Sequence, residues 1–134
     1  MEWRRRVKVL LDTCAVIWAT MSPAALSQRA RKTLANESNV ILVSAASAWE
    51  IATKVRLGKL AGAEILEQDY LAVMEKAGYE LLTIDTASAL RAGRLTAEHK
   101  DPFDRMIAAQ ALALDVAVLS SDPQLDQFGV RRVW

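Results

Sequence analysis

The chain has 134 residues, with 17 Lys and Arg against 16 Asp and Glu for a formal net charge of +1, and 52% hydrophobic residues with only five Gly and three Pro. This length suits one domain, and the composition excludes a disordered, fibrous or low-complexity chain. A lone Cys14 excludes an internal disulfide and a lone His99 leaves no soft ligand set for an ordinary zinc site, so any metal is expected to be hard and oxygen-liganded.

Trp3 and the basic run Arg4-Arg5-Arg6 read as a solvated start. The apolar run that follows is interrupted by Asp12, short of a signal-peptide core of about 7–15 residues, and no stretch approaches the ~20 apolar residues of a membrane span; a cytoplasmic protein is expected. Residues 7–11 are aliphatic and β-branched, which suits a buried parallel strand ended by Asp12. A short apolar helix over 15–20 follows, then a turn at Ser22-Pro23. An amphipathic helix over 26–35 places Leu26, Ala30, Thr33 and Leu34 inward and Arg29, Arg31 and Lys32 outward. Residues 40–43 make a second strand, and Ser44 or Ser47 caps a helix that runs to about residue 57 and stops at Gly58. A helix over 64–77 closes at Gly78 before a strand over 80–84. A helix over 86–94, a helix opened by Asp101-Pro102 and running to about 114, and strands over 117–120 and 130–133 complete the chain. Strands alternating with helices imply right-handed crossovers and an α/β domain spanning 1–134, its parallel sheet covered on both faces.

In such a sheet, strand C-termini and helix N-termini share one edge, where ligands of open α/β sheets bind. Four acids fall there: Asp12 after the first strand, Glu50 early in the helix after the second, Asp104 in the first turn of the Asp101 helix, and Asp122 after the fourth strand. Each has an individual structural explanation. Asp12 and Asp122 suit helix caps, Asp104 is the third residue after the Asp101 cap, and Ser47-Ala48-Trp49-Glu50 fits a capping box. Their joint convergence inside apolar stretches, where a charge is expensive, points instead to a bound divalent cation and an anionic substrate. If the four share a pocket, the remaining surface is net basic, which favours a polyanion. Oxygen-only ligands select Mg²⁺ or Mn²⁺, and an activated water makes a covalent nucleophile unnecessary.

The segments LLDTCAVIW, SAASAWEIATKVRLGKL, HKDPFDRMIAAQAL and VLSSDPQL occur in this order across nearly the whole chain. Together they resemble the PIN-domain family, and most closely its VapC-type toxin branch. The resemblance implies a metal-dependent single-strand endoribonuclease on a five-stranded parallel sheet, usually dimeric, and held in check by a small VapB-type antitoxin. It carries metal-ligand roles to Asp12, Glu50 and Asp104, with Asp122 matching the weaker fourth acid. Ser120 stands where many members have Thr, and it and Thr13 are candidates for substrate contact.

Arg105 is expected to contact phosphate or to pair with Asp101. His99 reads as surface structure, Cys14 as a small core residue, and Trp18 and Trp49 as core or as the lining of an apolar groove for a partner helix. Two rival readings remain. A haloacid-dehalogenase-type phosphatase would use Asp12, Ser44, Lys100 and Asp122, but its strand-one signature needs a second Asp where this chain has Cys14, and it leaves Glu50 and Asp104 without a role. A catalytically silent PIN-like module would bind RNA or protein without needing the complete acidic quartet.

Overall fold

The computed structural model describes residues 7–134, so Trp3 and Arg4, Arg5 and Arg6 lie outside the described residues. Five strands, β1 (Lys8–Leu11), β2 (Val40–Ser44), β3 (Glu80–Leu82), β4 (Ala117–Leu119) and β5 (Arg132–Val133), form one parallel sheet in the order β3-β2-β1-β4-β5. The helices are α1 (Thr13–Met21), α2 (Gln28–Ala35), α3 (Ala45–Arg56), α4 (Glu64–Gln68), α5 (Tyr70–Ala77), α6 (Thr86–Arg94) and α7 (Pro102–Leu114). The fold is the expected α/β domain, with helices on both faces of the sheet.

The period of two along β1 builds both faces of the core. Val9 and Leu11 pack with Ala15 and Val16 of α1, Ala30 of α2, Ile51 of α3 and Met74 of α5. Leu10 points the other way, into a cluster of Leu42, Val118 and the α7 residues Ile107, Ala108 and Ala111. Burial on both faces explains why the central strands are continuous apolar runs rather than alternating ones.

Register decides what stands at the sheet edge. Leu11 lies opposite Val43 in β2 and opposite Leu119 in β4, so these strands end level and Asp12, Ser44 and Ser120 arrive side by side. From β1 the chain builds outward through β2 and β3, then crosses to the other side of β1 for β4 and β5. The crevice between the ends of β1 and β4 is therefore the switch point of the sheet, the usual ligand position in open α/β folds.

Several boundaries differ from the sequence expectation. The helix expected over 64–77 is two, α4 and α5, separated at Asp69. Leu26 is buried but precedes α2, which is capped by the Ser27 hydroxyl through Ala30 N–H at 3.0 Å. Short 3-10 turns, each opened by a proline, occupy Pro23–Ala25, where a turn was expected, and Pro123–Phe128, which starts at the Asp122 cap. No helix among the described residues is long and apolar enough to cross a membrane.

Candidate active site

Asp12 is the first residue after β1 and the N-cap of α1. One carboxylate oxygen accepts the Ala15 N–H at 2.8 Å, and the other accepts the hydroxyl of Ser120, 108 residues away in sequence. The Asp12 N–H donates to Leu119 O at 3.1 Å, so backbone and side chain together tie the end of β1 to the end of β4. Ser120 Oγ also accepts the Asp122 N–H at 3.0 Å, and Asp122 caps the following 3-10 turn through Gln124 N–H at 2.9 Å. This chain of bonds holds Asp12, Ser120 and Asp122 against one another at the switch point.

The other two acids come from α3 and α7. Ser44, not Ser47, caps α3, its hydroxyl accepting Ala46 N–H at 3.0 Å. The expected capping box does not form; Ser47 is instead buried against Thr13, their hydroxyl oxygens 3.1 Å apart. Glu50 is therefore free of capping duty. It is buried, one oxygen pairs with Lys54 one turn on, and the other, Oε1, is buried with no partner. Asp104 sits half-buried in the first turn of α7, behind the Asp101 cap, and its carboxylate accepts from His99 Nε2 at 2.8 Å.

Burial pushes the Asp12 carboxyl up to about 6, against the lowering effect of its bonds to Ser120 and Ala15, and the charges of Asp104 and Asp122 push it further. Asp104 is raised too, first by burial and then, against its bond to His99, by the charges of Asp101 and Glu50. Asp12 thus feels the charges of Asp104 and Asp122, and Asp104 those of Asp101 and Glu50. Among the described residues no group of three His, Cys, Asp or Glu side chains is gathered tightly enough to hold a metal ion as it stands. Asp12, Glu50 and Asp104 face Ser120, Lys54 and His99 instead. The donor chemistry nevertheless fits a hard divalent cation: oxygen ligands only, with Asp12 and Asp104 raised by burial and then by neighbouring carboxylates, and an orphaned buried oxygen on Glu50.

The PIN domain family model matches residues 9–130. The chain belongs to the PIN-domain family. Among solved structures, this PIN domain is similar to VapBC2 from Rickettsia felis bound to a promoter DNA fragment, at 15% identity over 95% of this chain and 98% of that one, with a TM-score of 0.67. It is also similar to VapBC-1 from nontypeable Haemophilus influenzae (18% identity, 95% and 97% of the two chains, TM-score 0.62) and to FitAcB from Neisseria gonorrhoeae (19%, 94% and 96%, 0.60). At these identities the likeness speaks for the fold. No curated protein matches the chain.

Membership of the PIN family removes the phosphatase reading, and the geometry agrees: Ser44, its proposed hydroxyl, is buried and donates to Gln110 Oε1 at 2.6 Å. Arg105, expected to contact phosphate or to pair with Asp101, does not pair with Asp101. Its guanidinium donates to the carbonyls of Ala92 (3.1 Å), Ala97 (2.8 Å), His99 (3.0 Å), Gly93 (3.5 Å) and Leu95, and lies 5.9 Å from the Phe128 ring centre. It latches the segment that carries His99. Cys14, expected in the core, is exposed, and its thiol is pushed up to about 11 by partial desolvation and by the charges of Asp12 and Glu50. Trp18 packs on Trp134 at 5.7 Å, whereas Trp49 is exposed.

Three residues that the sequence did not mark as site residues shape this candidate site. Lys54 lies at the i,i+4 spacing from Glu50 that favours an ion pair. Gln110 is the one polar residue on the buried face of α7, and it joins Ser44 to Thr83 O, the latter at 3.0 Å, fixing α3 against α7. His99 was set aside as loop, yet it is the direct partner of Asp104 and rests edge-on against Phe128, the ring centres 5.7 Å apart.

Proposed function

We propose that this PIN domain is a Mg²⁺- or Mn²⁺-dependent endoribonuclease that cleaves single-stranded RNA, and that it acts in the cytoplasm as the toxin of a toxin–antitoxin pair. The observation that carries the reading is the pair of buried acids at this edge: Asp12, raised to about 6 by burial and then by the charges of Asp104 and Asp122, and Glu50, whose Oε1 is unpartnered. Asp12, Glu50 and Asp104, with Asp122 as a weaker fourth, would hold the ion. When bound, such an ion supplies the Lewis acidity that activates water and offsets charge on a phosphodiester.

The chain's own residues do the positioning. Ala15 N–H and the Ser120 hydroxyl hold Asp12 in one orientation. Lys54 and His99 hold Glu50 and Asp104, the latter contact requiring a proton on Nε2. The N-termini of α1 and α7 direct their positive dipole ends toward this edge, which favours anionic groups there. Thr13 and Ser120 place hydroxyls beside the acids and are the candidates for substrate contact. A small VapB-type antitoxin and a homodimeric assembly complete the proposal; the similar structures named VapBC and FitAcB support a partner of this kind.

The test is cleavage of single-stranded RNA with Mg²⁺ or Mn²⁺, run beside hydrolysis of a generic phosphate monoester. RNA cleavage that Asp12→Asn and Asp104→Asn abolish supports the ribonuclease. Tight RNA binding without cleavage in any metal would establish the silent module instead.

A further inference from the structure

An apolar pocket of about 190 Å³ opens between α3 and α7, the helices that carry Glu50 and Asp104, walled by Ala46 and Trp49 of α3, Pro102, Phe103 and Met106 of α7, and Ile84. Trp49 is 62% exposed, unusual for an indole, and its ring meets Phe103 edge-on with centres 4.9 Å apart. Resting on the ribonuclease reading, we propose that this pocket is a nucleobase subsite, in which the base of a nucleotide flanking the scissile phosphate stacks on Trp49.

Two observations single out a base. Trp49 immediately precedes Glu50 and Phe103 immediately precedes Asp104, so the aromatic pair and two of the acids ride on the same turns of the same two helices. A phosphate held at the acids therefore has the pocket within the reach of its own nucleotide. The pocket also lacks a free charge: Arg105, which touches its wall, directs its donors to backbone carbonyls. It offers nothing to a phosphate and suits the flat, uncharged part of a nucleotide. Stacking on an exposed indole tolerates any base, since every base has a π-face.

The experiment measures binding of a fluorescein-labelled hexa-adenylate by anisotropy with Ca²⁺ replacing Mg²⁺, and KM and kcat for cleavage with Mg²⁺. Trp49→Ala should weaken binding roughly 5- to 100-fold and raise KM more than it lowers kcat, with Trp49→Phe recovering most of the loss. A hexamer of abasic ribose phosphates should bind wild type and Trp49→Ala equally weakly. RNA binding and cleavage by wild type with Trp49→Ala unchanged overturns the subsite alone, and so does a variant normal on RNA that escapes antitoxin inhibition, which assigns the surface to a protein. If wild type neither binds nor cleaves RNA, the ribonuclease reading itself has failed. If the Trp49→Ala chain loses its fold, Trp49→Leu takes its place: weakened binding of hexa-adenylate with binding of the abasic hexamer unchanged supports stacking, and wild-type affinity for hexa-adenylate overturns it.

Discussion

Asp12→Asn should stabilise the metal-free protein at neutral pH while abolishing its metal response. Asp12 is 6% exposed and its carboxyl is raised from 3.8 to about 6. A raised acid binds its proton more tightly in the folded than in the unfolded chain, so stability falls as pH rises from about 4 to about 6 and stays low above that. Two pKa units correspond to about 3 kcal/mol. Asn keeps an oxygen for Ala15 N–H, but its amide meets Ser120 as a donor where the carboxylate accepted, a mismatch costing about 1 kcal/mol. The expected net gain is about 2 kcal/mol at pH near 8, vanishing or reversing near pH 4. Urea unfolding in EDTA would show it as a midpoint rise of about 1 M for an m-value of about 2 kcal/mol/M. Millimolar Mg²⁺ should raise the wild-type midpoint, by linkage to the folded state, and leave the variant's where it was. A variant less stable than wild type at every pH, or a difference that does not change with pH, would refute the picture of an uncompensated buried charge.

Glu50→Gln and Asp104→Asn should each reduce metal-dependent RNA cleavage by more than about 100-fold with unchanged circular dichroism; near-wild-type rates in a nuclease-free preparation would remove these acids from the site. Activity should appear with Mg²⁺ or Mn²⁺, vanish in EDTA, need no zinc, and not return with Ca²⁺, whose looser coordination suits in-line attack poorly; full activity in EDTA would point to metal-free chemistry through a group such as His99. Arg105→Ala should destabilise the fold by about 2–4 kcal/mol because several carbonyls lose their donor, and Lys should not rescue it, having no planar fork to span them; a raised KM with unchanged stability would restore a phosphate-contacting role. Residues 55–60, at the end of the helix that carries Glu50 and just after it, join the apolar Val55, Leu57 and Leu60 to the exposed Arg56 and Lys59, a pattern that suits a groove for an antitoxin segment. Arg56→Glu or Lys59→Glu should therefore leave stability within about 0.5 kcal/mol while weakening antitoxin inhibition. Equal inhibition constants for both variants and wild type would place the antitoxin groove elsewhere.

What the sequence determines by itself is local. The apolar runs at β1, β2 and β4 mark strands buried on both faces, and Asp12, Asp101 and Asp122 announce the helix starts they cap, because capping depends on bonds only two or three residues long. From the alternation of strand and helix, the parallel sheet and the common edge of the four acids follow by chain direction alone. The sequence could not choose between Ser44 and Ser47 as the cap of α3, since both stand at workable spacing; the choice was made when Ser47 met Thr13 across the core. Nor could it show that backbone carbonyls take up Arg105, because those carbonyls stand at the end of α6 and in the segment after it, whose path depends on α6 packing against α7. The pairings Asp12 with Ser120 and Asp104 with His99 have the same origin. They rest on strand register and loop position, and the burial that lifts Asp12 to about 6 exists only once the sheet has closed over it.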